Sequence, residues 1–208
     1  MKKKIDLTSW KRKAHFDFFN QFADPSFEAT AKVDVTKAYL GAKANNESFF
    51  LRYLHASMRA VNTIDEFKTR IEEDGLFQYD IIHAGPTIAR EDGTFGFSHL
   101  PFFEDFDEFA ANAKPIIEEV KAARDLNPSS FRANVIHYSS VPWVDFTGIK
   151  HPVFSTETKE SVPKITFGKV TEKNGKYSMP VSVNANHALL DGRHIGQFLD
   201  AFQENLDQ

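Results

Sequence analysis

The sequence contains no cysteine among its 208 residues, so disulfide bonds, thiolate metal ligands and a cysteine nucleophile are excluded. It has no hydrophobic run long enough to cross a membrane. No apolar segment follows the basic start "MKKK" to form a secretory signal, so we expect these lysines to be a solvated end. A formal net charge of −4 disfavours nucleic acid as a partner. These absences predict a cytoplasmic protein that works without membrane or nucleic acid.

Several common catalytic signatures are missing as well. The chain has no Walker-type glycine loop, no G-x-G-x-x-G after a strand, no G-x-S-x-G and no H-E-x-x-H. Nucleotide hydrolysis, dinucleotide redox chemistry, elbow-type serine hydrolysis and common zinc proteolysis are therefore disfavoured. Eight histidines are present, but none is paired at i, i+4 on a helix face, so we expect no metal site.

Phenylalanine, in contrast, is abundant: there are 21, against two tryptophans and five tyrosines. Its side chain brings a large apolar area without a polar group. The excess therefore indicates a thick aromatic core, an aromatic-lined pocket or a buried subunit interface, with the core as the expected place for most of them. No linker-like stretch or abrupt change of composition divides the sequence, so we expect one domain over residues 1–208.

Helical and alternating patterns are interleaved along the chain. We expect a first helix capped by Ser9 and a strand over "SFEATAKVDVT". A hairpin or meander should follow in the middle of the chain, and then an acidic-start helix that Pro115 kinks or splits. Near the C-terminus, Asn174–Gly175 predicts a tight hairpin, and a final helix begins at about Arg193. The pattern favours an α/β (α+β) two-layer sandwich, with a mixed, largely antiparallel sheet and helices packed on one face.

The segment "VNANHALLDGRHIGQF" joins the last strand to the last helix, and it places His187 four residues before Asp191. One interpretation is structural, because Asp191 is a good helix N-cap and His187 then merely ends a strand. The other is catalytic, because histidine is the commonest general base in enzymes. Taken alone, the motif leaves both interpretations open.

Two further segments precede this motif in order, "TSWKRKAHFDFF" and "YSSVPWVDF". Together the three motifs, W-x-R-x-x-H-F, S-x-x-P-W and H-x-x-x-D-G, resemble those of the type A chloramphenicol acetyltransferases. The resemblance covers nearly the whole chain in order, spacing and length. It implies a coenzyme A-dependent acyltransferase fold and direct transfer of acetyl from acetyl-CoA to a hydroxyl of chloramphenicol. It also implies a homotrimer with active sites at the subunit interfaces.

The resemblance assigns roles to five residues. His187 would be the general base that takes the proton from the attacking hydroxyl, with its other ring nitrogen held by a backbone carbonyl. Ser139 would donate a hydrogen bond to the oxyanion, and Thr166 would help to bind the intermediate through water. Asp191 would pair with Arg12 to hold the turn in place.

The same resemblance implies two sets of binding residues. The acceptor pocket would be lined by Phe18, Phe19, Phe27, Phe95, Phe97, Ile149, His151, Val153 and Lys164. The coenzyme would be contacted by Trp143, Lys169 and Phe50.

This chain departs from the family pattern at several positions, including Phe50, where a tyrosine is common, and Ser48, where a lysine can meet the coenzyme. Asn186 replaces the first histidine of a family pair, while Phe97, His151 and Lys164 add bulk or polarity to the acceptor pocket. The pocket changes favour an alternative acceptor, another hydroxylated small molecule. A second alternative is a binding protein that keeps the fold without catalysis.

Overall fold

The computed structural model describes residues 1–126, 132–153 and 160–208. The helices there are α1 (Lys13–Phe19), α2 (Thr36–Ala44), α3 (Phe49–Asn62), α4 (Phe106–Ala122) and α5 (Gly192–Leu206), and a short 3₁₀ helix covers Asp65–Lys68. The strands are β1 (Lys2–Lys4), β2 (Ser26–Asp34), β3 (Thr69–Glu72), β4 (Gly75–Tyr79), β5 (His83–Ala89), β6 (Phe95–Phe97), β7 (Val135–Ser140), β8 (Lys164–Phe167), β9 (Thr171–Lys173) and β10 (Lys176–Asn186).

The main sheet has the strand order β2-β10-β8-β7-β5-β6, with β9 paired to β10 beside this path. Strand β10 runs antiparallel to β2, β8 and β9, whereas β7 runs parallel to both β8 and β5. The sheet is therefore mixed, with helices packed on one face, and the predicted fold class is confirmed.

Strand β10 shows why the two faces of the sheet differ. Val181 and Val183 are fully buried in the core that α3 and α5 share. Because successive side chains point to opposite faces, Ser182, Asn184 and Asn186 lie on the face away from those helices. The polar residues of the sheet thus collect on one side, and several of the predicted site residues lie among them.

The phenylalanines divide between the core and the surface. Phe67, Phe167, Phe198 and Phe202 are buried, and their rings form a connected series with centroids 5.4–5.9 Å apart. Others stay in contact with solvent: Phe18 is 58% exposed, Phe22 45% and Phe95 47%. The core prediction therefore accounts for only part of the excess, and the exposed rings lie on α1, just beyond its end, and on β6.

The turns around β10 agree with their sequence signals. Asn174 and Gly175 both have positive φ, 54° and 77°, the conformation that a two-residue hairpin of this kind requires. At the other end of β10, Asp191 caps α5 by accepting a hydrogen bond from the backbone N–H of Arg193 at 3.0 Å. The N-cap interpretation of Asp191 is confirmed.

The predicted start of the first helix was wrong. Helix α1 begins at Lys13 because the carboxylate of Asp6 holds Ser9 in a preceding turn, accepting a hydrogen bond from its hydroxyl at 3.0 Å. The basic start is exposed to solvent, as expected, but it also forms a strand. Lys2–Lys4 form β1, which pairs with β4 in a second sheet of order β1-β4-β3, and Lys2 Nζ lies 4.3 Å from the ring centroid of Phe77.

Pro115 does not split its helix, because α4 runs unbroken from Phe106 to Ala122. A proline removes the hydrogen bond to the carbonyl four residues earlier, here that of Ala111. Both residues are exposed, so water can satisfy the freed carbonyl. Within the described parts of the chain, no helix combines the length and apolar character needed to span a bilayer.

Candidate active site

His187 directly follows the last residue of β10, and its backbone N–H donates to the carbonyl of Pro25 at 2.9 Å. Its imidazole stacks on the ring of Phe19, with centroids 4.0 Å apart and planes at 5°. On another side, Phe27 lies at 4.4 Å. Phe18 extends the cluster, with its centroid 5.1 Å from that of Phe19. Three of the residues expected in the acceptor pocket therefore lie together around the expected base.

The hydrogen bonding of the His187 ring differs from the expectation. Its Nδ1 atom is buried and has no hydrogen-bond partner among the described residues, so the expected bond to a backbone carbonyl is not formed. The aromatic rings beside the imidazole offer no acceptor. Packing between Phe19 and Phe27 therefore supplies the orientation that a hydrogen bond would otherwise give.

Arg12 and Asp191 form an ion pair next to the backbone of His187. Arg12 Nη1 donates to Asp191 Oδ2 at 2.7 Å, and Nη2 lies 3.5 Å from the backbone carbonyl oxygen of His187. The side chains are 11% and 30% exposed, so the pair is half withdrawn from water. The guanidinium of Arg12 thus connects the start of α5 with the backbone of His187. The expected pairing of Arg12 with Asp191 is present.

The electrostatics of Asp191 follow from these contacts. Burial acts to raise the pKa of its carboxyl group. The hydrogen bond from Arg12, the nearby His194 and Arg12 charges and the N–H of Arg193 act in the opposite direction and prevail, so the pKa is lowered. Asp191 is therefore held as a carboxylate that can cap the helix and bind the guanidinium.

Asn186 stabilises the same turn. Its Oδ1 accepts from the backbone N–H of Ala188 at 2.9 Å, and its Nδ2 donates to the carbonyl of Glu160 at 3.0 Å. The residue is buried, and both of its polar atoms are satisfied. Asn186 therefore ties the turn to the backbone at Glu160.

Ser139 and Thr166 lie side by side on the polar face. Their Cα atoms are register partners across β7 and β8, and the row continues through Ser182 to Thr30. The hydroxyl oxygens of Ser182 and Thr30 are buried, and within the described ranges neither has a hydrogen-bond partner. Four hydroxyl groups therefore cross the sheet in one line.

His187 lies far from this row within one chain. It is five residues beyond Ser182 in sequence, or roughly 16 Å along the strand, and Ser139 lies two strands further across at about 10 Å. The two backbones are thus on the order of 19 Å apart. Side chains cannot bridge that gap to reach the same reacting atom.

A cavity of about 320 Å³ opens on the polar face, beside the start of β2. Its lining includes Phe27, Glu28, His151, Val153, Lys164 and Asn186. The backbone N–H of Ile149 donates to Glu28 in this lining at 2.9 Å. Three of the residues expected in the acceptor pocket, His151, Val153 and Lys164, therefore share this cavity with Phe27.

Two of these residues are held by polar contacts. His151 Nε2 lies 2.9 Å from the hydroxyl of buried Thr166. Burial, with the nearby charge of Lys164, lowers the pKa of His151, so its imidazole is neutral at neutral pH. Lys164 in turn pairs with Glu160 at 2.8 Å and donates to the carbonyl of Pro152 at 3.0 Å. The cavity therefore presents an imidazole and a Lys–Glu ion pair beside the ring of Phe27.

Phe95 and Phe97 lie elsewhere, on β6 at the opposite edge of the sheet from β2. Their ring centroids are 5.7 Å apart. Within one chain the width of the sheet separates them from His187 and its neighbouring phenylalanines. They lie nearer to β7, which carries Ser139.

The expected coenzyme contacts gather at the end of β7, near Ser139. Trp143 is 74% exposed in the turn that follows the strand. The N–H of Lys169 donates to the carbonyl of Val144 at 2.9 Å, which ties it to the same turn. Phe50 is half-buried, with its ring 5.6 Å from Tyr53, whose hydroxyl bonds Ser140 at 3.0 Å.

Gly168 explains how closely these segments approach. A Cβ at this position would lie 2.5 Å from Pro180 Cγ and 2.9 Å from the carbonyl oxygen of Val144. Only glycine fits there. In the described ranges, no group of three or more histidine or acidic side chains is arranged to hold a metal ion.

One residue of the site carries no local sequence signal. Glu66, on the short 3₁₀ helix, places Oε1 3.3 Å from Nε2 of His194 in the first turn of α5. The distance between the two residues along the chain hides this contact from any motif.

The fold is similar to that of a known acetyltransferase. It matches a solved structure of the dihydrolipoamide acetyltransferase of Azotobacter vinelandii with a TM-score of 0.69 at 15% identity, covering 94% of this chain and 86% of that one. At this identity the likeness concerns the fold.

Closer relatives define the family. The family model described as chloramphenicol acetyltransferase matches residues 2–203. Chloramphenicol acetyltransferase 3 of Escherichia coli is 29% identical over 97% of this chain and 95% of its own length. A solved chloramphenicol acetyltransferase superposes with a TM-score of 0.92 at 32% identity, over 99% of this chain and 100% of that one. The chain belongs to the chloramphenicol acetyltransferase family and is an acetyltransferase.

Proposed function

We propose that the protein transfers the acetyl group of acetyl-CoA to a hydroxyl of chloramphenicol. The observation that carries this proposal is the arrangement around His187. Its imidazole is packed against aromatic rings, and its backbone carbonyl faces Arg12 of the Arg12–Asp191 pair. The names of the relatives supply the acceptor and are consistent with this arrangement.

In this proposal His187 acts as the general base. Its Nδ1 is buried, which leaves Nε2 to accept the proton of the attacking hydroxyl. The hydroxyl oxygen then bonds to the thioester carbon, the coenzyme A thiolate leaves, and the imidazolium returns its proton to that thiolate. Ser139 donates to the oxyanion, and Thr166 assists from the neighbouring strand. No covalent acyl-enzyme is needed, because both substrates are held together.

We further propose that the active site is completed by a second copy of the chain. His187 lies with Phe18, Phe19 and Phe27 at one end of the polar face. Ser139 lies some 19 Å away, with the residues expected to contact the coenzyme. The half-exposed ring of Phe18 is then covered by the neighbouring copy. Each contact then joins two different surfaces of identical chains, and such contacts close into a cyclic oligomer. We propose the homotrimer implied by the resemblance.

Acetyl-CoA would bind beside Ser139. The exposed indole of Trp143 and the half-buried ring of Phe50 offer apolar faces, and the exposed ammonium of Lys169 offers a charge for phosphate groups. We place the reaction in the cytoplasm, with no membrane and no nucleic acid involved, in one domain over residues 1–208.

The direct test mixes the protein with acetyl-CoA and chloramphenicol and follows free thiol with time. We expect thiol release that depends on both substrates and that falls to background in His187→Ala. Full activity in that variant would remove the assigned base. No release with any of a panel of hydroxyl compounds would contradict acetyl transfer itself.

A second candidate keeps the reaction but changes the acceptor to another hydroxylated small molecule. The observation that favours it is the polar lining of the 320 Å³ cavity, where His151 bonds Thr166 and Lys164 pairs with Glu160. Hydrogen-bonding groups in a pocket discriminate strongly between acceptors that can and cannot satisfy them. Comparing kcat/KM over the same panel decides between the two: a polyhydroxylated acceptor would exceed chloramphenicol if this candidate is right.

A further inference from the structure

A series of polar contacts leads from Asp191 through His194 to Glu66. The imidazole of His194 lies in the first turn of α5, and its Nδ1 accepts a hydrogen bond from the backbone N–H of Asp191 at 3.1 Å. Its Nε2 lies 3.3 Å from Oε1 of Glu66. The imidazole therefore bridges the N-terminus of α5 and the short 3₁₀ helix.

These contacts favour one position for the proton of the neutral His194 ring. Because Nδ1 accepts from a backbone N–H, the neutral ring must carry its proton on Nε2, and the carboxylate of Glu66 faces that atom. The side chains of His194 and Glu66 are 12% and 31% exposed, so the contact is partly shielded from water.

The alternative tautomer would disturb Asp191. A proton on Nδ1 of His194 would point at Asp191 Oδ1, 3.1 Å away, and the backbone N–H of Asp191 would lose its acceptor. That oxygen already accepts from Arg193 at 3.0 Å, while the other oxygen binds Arg12. The tautomer that Glu66 selects therefore leaves the carboxylate free for its two existing contacts.

The fold holds Glu66 in place through its neighbours. Phe67 is fully buried, and its ring centroid lies 5.4 Å from that of Phe198 on α5. Lys68 pairs with Asp65 at 3.0 Å. The open side is a cavity whose lining includes Lys3, Lys4, Asp6, Lys11, Arg12, Asp65 and Glu66, so the charged groups around this carboxylate are mostly cationic.

We propose that Glu66 is a positioning residue of the transferase, acting through the His194 tautomer on Asp191 and Arg12 and so on the segment that carries His187. The inference rests on the acetyl transfer proposed above. Glu66 touches neither substrate nor the reacting atoms; its effect is to keep the turn in one hydrogen-bonded arrangement.

The test compares Glu66→Ala with Glu66→Gln, which keeps an acceptor oxygen for Nε2–H. The control is Glu73→Ala, since Glu73 is an exposed acidic residue in the same region of the chain. We expect Glu66→Ala to lower kcat roughly tenfold with KM little changed, because displaced catalytic groups slow chemistry more than binding. We expect Glu66→Gln to restore kcat to within about threefold of wild type, and Glu73→Ala to match wild type.

A second readout is independent of activity. Nitrogen-15 NMR of the histidine side chains distinguishes protonated from unprotonated ring nitrogens, and we expect His194 to carry its proton on Nε2 in the wild type and to populate the other tautomer in Glu66→Ala. This result would stand even if the protein had no transferase activity. A proton on Nδ1 in the wild type would overturn the proposal. An unchanged kcat in Glu66→Ala would also overturn it. So would equal losses of kcat in Glu66→Ala and Glu66→Gln that parallel equal decreases in their melting temperatures.

Discussion

The Arg12–Asp191 pair allows a quantitative prediction, because it joins the start of α5 to the carbonyl of His187. The perturbation is Arg12→Met, which keeps the aliphatic stem and removes the charge, combined with Asp191→Asn in a double-mutant cycle. For charges about 4 Å apart in a medium of effective dielectric constant near 20, the attraction is about 4 kcal/mol. Desolvation and screening reduce it, since Asp191 is 30% exposed, and we expect a coupling of about 1–2 kcal/mol.

The assay has two parts, urea unfolding for stability and thiol release for activity. Each single variant should lose about 1–3 kcal/mol of unfolding free energy. Arg12→Met should also lower kcat by roughly 10- to 100-fold, because the contact at 3.5 Å to the carbonyl of His187 is lost with the guanidinium. A coupling below about 0.3 kcal/mol, together with an unchanged kcat, would refute the reasoning.

The pair also has a predictable pH dependence. The pKa of Asp191 is lower in the folded protein than in the unfolded chain, so the unfolded state binds the proton first as the pH falls. The stabilisation is therefore complete above a pH of about 4 and is lost as the pH falls through the folded pKa. Wild type and Asp191→Asn should converge in stability at the acid end, when unfolding is followed in a pH series.

Three further changes test other parts of the structure. Gly168→Ala should destabilise by about 1–3 kcal/mol in urea unfolding, because its Cβ would lie 2.5 Å from Pro180 Cγ; an unchanged midpoint would show that the segments can separate at no cost. Phe19→Leu should lower kcat roughly tenfold in the thiol assay with a small loss of stability, since the stacked ring orients His187; an unaltered kcat would mean that stacking is irrelevant. Arg70→Met should cost about 3–5 kcal/mol in thermal or urea unfolding, because the buried guanidinium donates to four backbone carbonyls that would lose their partner; a loss below about 1 kcal/mol would contradict this.

Local signals predicted much of the fold. Strand β2, helix α5 and the hairpin at Asn174–Gly175 follow from alternation, helical periodicity and turn chemistry, each of which acts over a few neighbouring residues. Strand β1 could not be predicted, because three consecutive lysines have no strand pattern and are ordered only by pairing with β4. The start of α1 was missed because Asp6, outside the expected helix, takes the hydroxyl of Ser9.

The candidate site shows the same division. The motifs predicted roles for His187, Ser139 and the Arg12–Asp191 pair, and the structure brings Arg12 to Asp191 as expected. No pattern in one chain indicates that Ser139 lies some 19 Å from His187, since that distance depends on the order of strands in the sheet. The same holds for two contacts of the site, that of His151 with Thr166 and that of Glu66 with His194. The two residues of each contact belong to different segments of the chain, so no local motif predicts them.

The central claim is that His187 and Ser139 act together across two copies of the chain, and mixing two inactive variants tests it most directly. His187→Ala and Ser139→Ala, each nearly inactive alone, are unfolded together in equal amounts and refolded as mixed oligomers. In a ring of such contacts, each interface has one chance in four of joining an intact histidine to an intact serine, so activity should recover to about one quarter of wild type. If the mixture stays as inactive as its components while mixed oligomers are present, the site lies within one chain and the account is wrong.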